Sequence, residues 1–265
     1  MHATEREALI LTLLRERGFV SFRELESRME DSPATIRRDL ERLDREGKLS
    51  RVRGGAKAPA GGAEIPVDVG FPRLSGVPFH ENIGKHRNEK EAIGRVAAAM
   101  CTPGEGVMID GGSTTLQMCP QLAGLGLQVL TNSLHIVSAL IGQAGTRVLV
   151  PSGAVFPEQN IILSVFGDDG MPRFHAPKLF MGAASVGPQG LMQADVVLVA
   201  GERRFIERAD TVIILVDASK FDGPSGNIVC GLDEVDVIVT DDRVTDKTAA
   251  MIERAGVKLV VAEGR

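Results

Sequence analysis

At 265 residues with 43% hydrophobic side chains, the chain is long for one domain and apolar enough for a large core, so two domains are expected. The formal charge is −5, yet residues 1–57 hold 13 basic and 11 acidic side chains against 17 and 24 in the remainder, so only the first part suits a polyanion. Trp and Tyr are absent, which removes the usual aromatic platform for single-stranded nucleic acid, and Cys101, Cys119 and Cys230 are too scattered for a disulfide framework or a C-x-x-C zinc site.

The first predicted element is a helix over Thr4 to Arg17, with Ala8, Leu9, Leu11, Leu13 and Leu14 as its apolar face. Ser21 with Glu24 spells a capping box that opens a second helix from Phe22 to Met29. Ser32 offers a side-chain acceptor to the next helix start, and Pro33 at the first helical position loses only an N–H that had no partner. From there Ile36, Leu40 and Leu43 form a buried stripe, while Thr35, Arg37, Arg38, Arg42 and Arg45 lie off it. Gly47 ends this helix, and Lys48 to Val52 alternates polar and apolar residues before Gly54-Gly55, as a small hairpin carrying Arg51 and Arg53 would. Between Ala34 and Lys57 there are eight Lys/Arg and four Asp/Glu, an excess for which phosphate is the natural partner. Taken alone, the third helix reads more readily as a solvated amphipathic surface; its context of three short helices followed by a wing reverses that and reads as a winged helix-turn-helix.

Residues 58–79 are rich in Gly and Pro and lack helical periodicity, so they are expected to be a linker between residues 1–57 and 80–265. From Asn88, a helix marked by Ala92, Ile93, Val96, Ala97 and Met100 precedes short Val/Ile-rich runs at 107–109, 129–130, 148–150, 179–181, 212–216, 235–239 and 259–261. Unalternating runs of this kind predict strands covered on both faces, in an open, mainly parallel α/β sheet whose ligands bind beyond the carboxyl ends of the strands.

The residues that follow three of those runs are polar. Asp110-Gly111-Gly112-Ser113-Thr114-Thr115 leads into a helix expected over Leu116 to Leu122, and glycines, hydroxyls and a helix start together make a phosphate cradle. No Lys precedes the hydroxyl pair, so this is not a nucleotide-hydrolysing P-loop. Thr131-Asn132-Ser133 and Asp217-Ala218-Ser219-Lys220 occupy two more strand ends; the carboxylate suits sugar hydroxyls and the Lys a phosphate. Lys90, on the helix before the first strand, offers a further positive charge. The bland readings are helix caps for Thr131 and Ser133, a surface pair for Asp217 and Lys220, and an exposed helical Lys for Lys90. His80 and His86 lack further ligand-type neighbours, so neither a metal nor any other cofactor is expected. No apolar run approaches the roughly 18 residues needed to span a bilayer, and a cytoplasmic protein without membrane contact is expected.

Residues 1–57 resemble the helix-turn-helix domain of the DeoR family of bacterial transcriptional regulators, on Thr35 to Leu40 (T-I-R-R-D-L), Gly47 to Arg51 (G-x-L-x-R) and Gly54-Gly55-Ala56. Residues from about 80 to 265 resemble that family's sensor domain, with Lys90, Asp110 to Thr115, Thr131-Asn132 and Asp217-x-Ser219-Lys220 in order. The resemblance implies a sugar isomerase/CoA transferase-like fold, similar to ribose-5-phosphate isomerase, that senses a phosphorylated sugar or related metabolite. By the same resemblance, Lys90 and the hydroxyl-rich loop would hold the phosphate, and Asp217 and Lys220 would face the sugar. Pro151-Ser152-Gly153 departs from the family's paired glycines after the third strand.

The expected function is a sequence-specific regulator, a repressor of a sugar catabolism operon released or engaged by its effector. Ser32, Thr35, Arg37, Arg38, Arg42, Arg51 and Arg53 would contact double-stranded operator DNA, and a homo-oligomer, dimer or tetramer, would match two-fold operators. The alternative is a sugar-phosphate isomerase or transferase with an appended nucleic-acid module. Gly182-Ala183-Ala184-Ser185 argues against it, because it stands where the resembling isomerases carry catalytic acids, and no catalytic residue is assigned.

Overall fold

The computed structural model describes residues 6–264 except 8, 12, 15–18, 30, 53, 58–73, 165–169 and 224–225. The chain forms two compact units, Met1–Phe71 and Pro72–Arg265.

In the first unit the described positions between 6 and 14 are helical. Strand β1 (Phe19–Ser21) then leads into helix α1 (Phe22–Arg28), and α2 (Pro33–Arg45) follows. Ser21 Oγ accepts the Glu24 N–H at 3.2 Å and Ser32 Oγ accepts the Thr35 N–H at 3.2 Å, so each helix starts where a hydroxyl satisfies an otherwise orphaned donor. Gly47, at φ +71°, turns the chain after α2 in a conformation that costs a side chain with Cβ more. β2 (Ser50–Val52) and β3 (Gly55–Lys57) complete an antiparallel sheet in the order β1-β3-β2. β1, which has no signature in the sequence, pairs Val20 with Ala56 and so ties the wing to the start of α1. Ile10, Leu14, Leu25, Ile36, Leu40, Leu43 and Leu49 share one buried cluster, each worth roughly 1.5–3 kcal/mol on removal from water.

The second unit is built on seven strands: β4 (Gly106–Ile109), β5 (Gln128–Leu130), β6 (Arg147–Leu149), β9 (Ala176–Met181), β12 (Ala209–Leu215), β14 (Val237–Asp241) and β15 (Lys258–Ala262). They run in the order β15-β14-β12-β9-β4-β5-β6, and every pairing is parallel. Successive residues of a strand enter different cores: Val107 and Ile109 pack with Ile93 and Ala97 of α4 (Arg87–Ala98), and Met108 with Phe205 and Ile206 of α6 (Val196–Ile206). Burial on both faces is what erases polar alternation from these strands. Strand order reverses between β4 and β9, because β5 and β6 add on one side and β12, β14 and β15 on the other; the crevice at such a reversal is where open α/β sheets bind ligands.

Four features differ from the sequence reading. Residues 74–79, expected in the linker, pack on this unit: Leu74 is buried with Phe156, Ile161 and Leu163, the Ser75 N–H donates to Asp195 Oδ2 at 2.8 Å, and the Phe79 N–H donates to Glu158 O at 2.9 Å. They lead into the short helix α3 (Phe79–Asn82). The helix expected at 116–122 is a 3-10 helix, Thr115–Gln121, because Pro120 lies inside it and has no N–H for the α-helical ladder. The hairpin of β7 (Ala154–Phe156) and β8 (Ile161–Leu163), and an antiparallel sheet of β10 (Ser185–Gly187), β11 (Gly190–Gln193) and β13 (Asn227–Cys230), have strands too short to leave a periodicity. The remaining helices are α5 (Leu134–Leu140) and α7 (Asp246–Arg254).

Candidate functional site

In the first unit α2 exposes Arg37 and Arg38 on the face opposite Ile36, Leu40 and Leu43. The Arg37 guanidinium lies 5.1 Å from the centre of the Phe22 ring, a cation–π contact that positions it without neutralising it, and Arg38 has no ion pair among the described residues. Three further basic residues are already paired. Arg42 reaches Glu7 at 2.9 Å and Glu46 at 3.1 Å, Arg51 reaches Glu41 at 3.0 Å, and Lys48 reaches Glu7 at 2.6 Å. Hydrogen bonds from Lys48 and Arg42 hold the Glu7 carboxyl below the usual carboxylate range against the opposing effect of burial. Ser32 is exposed but occupied as a cap, its Oγ 2.9 Å from Thr35 Oγ1. Arg53 lies outside the described residues.

In the second unit a cavity of about 340 Å³ opens beyond the carboxyl ends of β4, β5, β9 and β12. The β4 end supplies Asp110, Gly111, Gly112, Ser113 and Thr114, the β5 end Asn132, the β9 end Gly182 to Ala184, and the β12 end Ser219 and Lys220. Asn132 fastens two of these ends together: its Oδ1 accepts the Gly111 N–H at 2.8 Å while its Nδ2 donates to Asp110 Oδ1 at 2.7 Å. A Cβ at Gly111 would stand 2.6 Å from Ile161 Cγ2, so this loop closes only with glycine there. Thr115 faces away, donating to the carbonyls of Asp110 at 2.8 Å and Gly112 at 3.0 Å. Gly112, Ser113 and Thr114 keep backbone N–H groups without a protein acceptor among the described residues.

Burial sets the charges here. Lys90 is 1% exposed and donates from Nζ to Asn82 O at 2.6 Å; burial brings its ammonium down to about 8, with Asp217 opposing and Lys220 reinforcing the shift. Burial also pushes Asp110 up to about 6, partly offset by the Asn132 and Gly111 hydrogen bonds. Asp217 is fully buried as the cap of the turn that carries Lys220, accepting from the Ser219 N–H at 3.2 Å and from Ser219 Oγ. Its Oδ2 has no partner among the described residues. Cys101 and Cys119 are pushed up to about 12, and Cys230 to about 11, by burial, which keeps all three as thiols. Among the described residues, no group of three or more His, Cys, Asp or Glu is placed to hold a metal ion, and no helix is long and apolar enough to cross a membrane.

Known proteins match both units. The DeoR-like helix-turn-helix domain model covers residues 6–60, and the DeoR C terminal sensor domain model covers residues 85–242, more than half of the chain. The chain belongs to the DeoR family. It is a DNA-binding transcriptional regulator with a C-terminal sensor domain. Among similar proteins are the HTH-type transcriptional regulators UlaR of Shigella dysenteriae serotype 1 and of Escherichia coli K12. Each is 28% identical over 260 residues, which span 98% of this chain and 99% of the relative. Ribose 5-phosphate isomerase A from Methanocaldococcus jannaschii, 15% identical, matches half of this chain and 53% of its own with a TM-score of 0.35. A likeness that low says nothing about activity.

Of the residues singled out in this DeoR-family chain, Asp110, Gly111, Gly112, Ser113, Thr114, Asn132 and Lys220 line the cavity. Lys90, Thr115, Thr131 and Asp217 stand behind its wall. Lys90 anchors Asn82, Thr131 Oγ1 accepts the Ser133 N–H at 3.1 Å, and Asp217 shapes the Lys220 turn. Five polar wall residues escaped the sequence reading: Ser75, Asn82, Gln159, Gln193 and Glu202. The one available signal was Glu202 itself, a carboxylate in the apolar helix segment VVLVAGERRFI.

Proposed function

We propose that this regulator represses a sugar catabolism operon in the cytoplasm, and that a phosphorylated sugar or related metabolite sets its affinity for the operator. Residues 1–57 are the DNA-binding part. Arg37 and Arg38, exposed on α2 and free of neutralising carboxylates, make the leading base and phosphate contacts, with Ser32 and Thr35 at the helix start. Arg42 and Arg51 contribute less, since each must first leave a carboxylate, and Arg53 adds a further basic contact. Residues 80–265 sense the effector. The observation that carries this reading is the convergence of Lys220, the Ser113 and Thr114 hydroxyls and the spare N–H groups of Gly112 to Thr114 on one cavity at the reversal of strand order.

Coupling between the units requires only that the effector bind the DNA-competent and incompetent arrangements unequally, typically by 1–3 kcal/mol. A homo-oligomer, dimer or tetramer, presents paired α2 helices to a two-fold operator. A thermal-shift panel of pentose, hexose and hexosamine phosphates tests the sensor. The true effector at about 100 times its Kd should add about 2.7 kcal/mol of stability, and Lys220→Ala should abolish the gain. A panel without any Lys220-dependent shift would refute the reading.

A sugar-phosphate isomerase is the second reading, favoured by the two carboxyl groups, Asp110 and Glu202, that share the cavity with Lys220. We assign no catalysis to them. Turnover of aldose or ketose phosphates that disappears in Lys220→Ala would reverse that assignment.

A further inference from the structure

Charge is segregated within the cavity. Lys220 lies within electrostatic reach of Lys90, as does Asp217, whereas Glu202 lines the cavity with Asp110, whose charge acts on it, and neither of those two carboxyls forms an ion pair among the described residues. Glu202 comes from the middle of α6. It is 4% exposed and lines the cavity; Gln193 Nε2 donates to its Oε1 at 2.6 Å, while Oε2 has no partner among the described residues. The adjacent cations turn elsewhere: Arg203 pairs with Glu234 at 2.7 Å, and Arg204 lines a different, small pocket.

A buried carboxyl with one satisfied and one orphaned oxygen costs stability, and a second carboxyl nearby raises that cost by repulsion. Both are pushed upward, Glu202 well above the ordinary carboxylate range, with burial as the leading cause. If Glu202 served packing alone, an apolar or amide side chain would do better. A neutral hydroxyl from a ligand would satisfy one oxygen and offer no charge to either carboxyl. An ammonium group supplies three N–H donors and one positive charge, and so answers both carboxyls at once.

We propose that the effector is a phosphorylated amino sugar, with its phosphate at Lys220 and the Gly112–Thr114 loop and its ammonium between Asp110 and Glu202. Glu202 is then the residue that separates amino sugars from their hydroxyl parents. This rests on the reading of the cavity as a sugar-phosphate site.

The test is calorimetric titration of the full chain with glucosamine, galactosamine and mannosamine 6-phosphates, each against its parent hexose 6-phosphate, in wild type, Glu202→Gln and Lys220→Ala. At least one amino sugar phosphate is expected to bind tenfold or more tighter than its parent at pH 7.5. Glu202→Gln, which keeps the side-chain length, should bring that ratio to within about twofold, and Lys220→Ala should weaken both members of the pair. Asp110→Asn, measured in parallel, should also lower the ratio. An unliganded melting temperature of Glu202→Gln equal to or above wild type shows that the fold survives. Equal affinity for amine and hydroxyl, or a preference that survives Glu202→Gln, overturns the inference. If hexose or pentose phosphates bind through Lys220 while no amino sugar is preferred, the inference falls and the sugar-phosphate reading stands. If no phosphorylated sugar binds, both fall.

Discussion

The two units use charge in opposite ways. On α2 the basic groups that matter are exposed and their surroundings are carboxylate pairs at the surface, so each charge is cheap to keep and free to meet phosphate. In the sensor unit, Lys90, Asp110, Asp217 and Glu202 are all buried, and a charge on any of them carries a cost that a ligand of the right polarity can relieve. On the function proposed above, the surface unit would bind any polyanion weakly and gain selectivity from base edges, whereas the cavity would gain selectivity from the penalty it imposes on a mismatched ligand.

Breaking the apolar support of the surface unit should have the largest effect. Ile36→Ala removes a fully buried side chain from the core under α2 and is expected to cost about 2–5 kcal/mol of that unit's stability, read by chemical denaturation followed at the first unit. Next comes Asp110→Asn, which should stabilise the unliganded sensor. The native carboxyl titrates at about 6, above its ordinary 3.8, so between those values the folded chain holds more protons than the unfolded one and stability falls as pH rises. The variant should therefore gain roughly 2–3 kcal/mol at pH 7.5 and nothing below about pH 4, measured by urea melts across that range. Smaller again, Arg38→Ala should weaken operator binding by about 1–3 kcal/mol at moderate salt. Arg42→Ala, whose partner charges are Glu7 and Glu46, should change operator affinity less than Arg38→Ala does and stability by under about 1 kcal/mol.

The same contrast decides what could be read from the chain before its structure. Helix α2 was legible because its cap, its proline and its apolar stripe are local, and the seven parallel strands were legible because burial on both faces leaves uninterrupted Val/Ile runs. The loops after β4, β5 and β12 followed from strand-end logic. What local spelling could not reveal was which polar residues are buried. Arg42 finds Glu7, 35 residues away, and Lys178 finds Glu105, 73 away, so whether a charge is free or paired depends on contacts outside any motif. Lys90 reads as a phosphate ligand or an exposed helical Lys, whereas α3 folds over it, and Glu202, to which the sequence reading gave no role, is buried where β11 brings Gln193 against it. Thr131 and Asp217 share the polar spelling of their loops with true wall residues, yet their side chains cap local turns.

The most direct test of this division is a paired measurement on wild type, Arg38→Ala and Lys220→Ala: operator affinity by fluorescence anisotropy, and affinity for the strongest sugar phosphate by calorimetry. Arg38→Ala should lose operator affinity about fivefold or more with effector affinity unchanged within about twofold. Lys220→Ala should lose effector binding while its unliganded operator affinity stays within about twofold of wild type. A variant that loses both activities while remaining folded, or an Arg38→Ala protein that binds operator as wild type does, would contradict the assignment of DNA reading to the exposed helix and effector reading to the buried cavity.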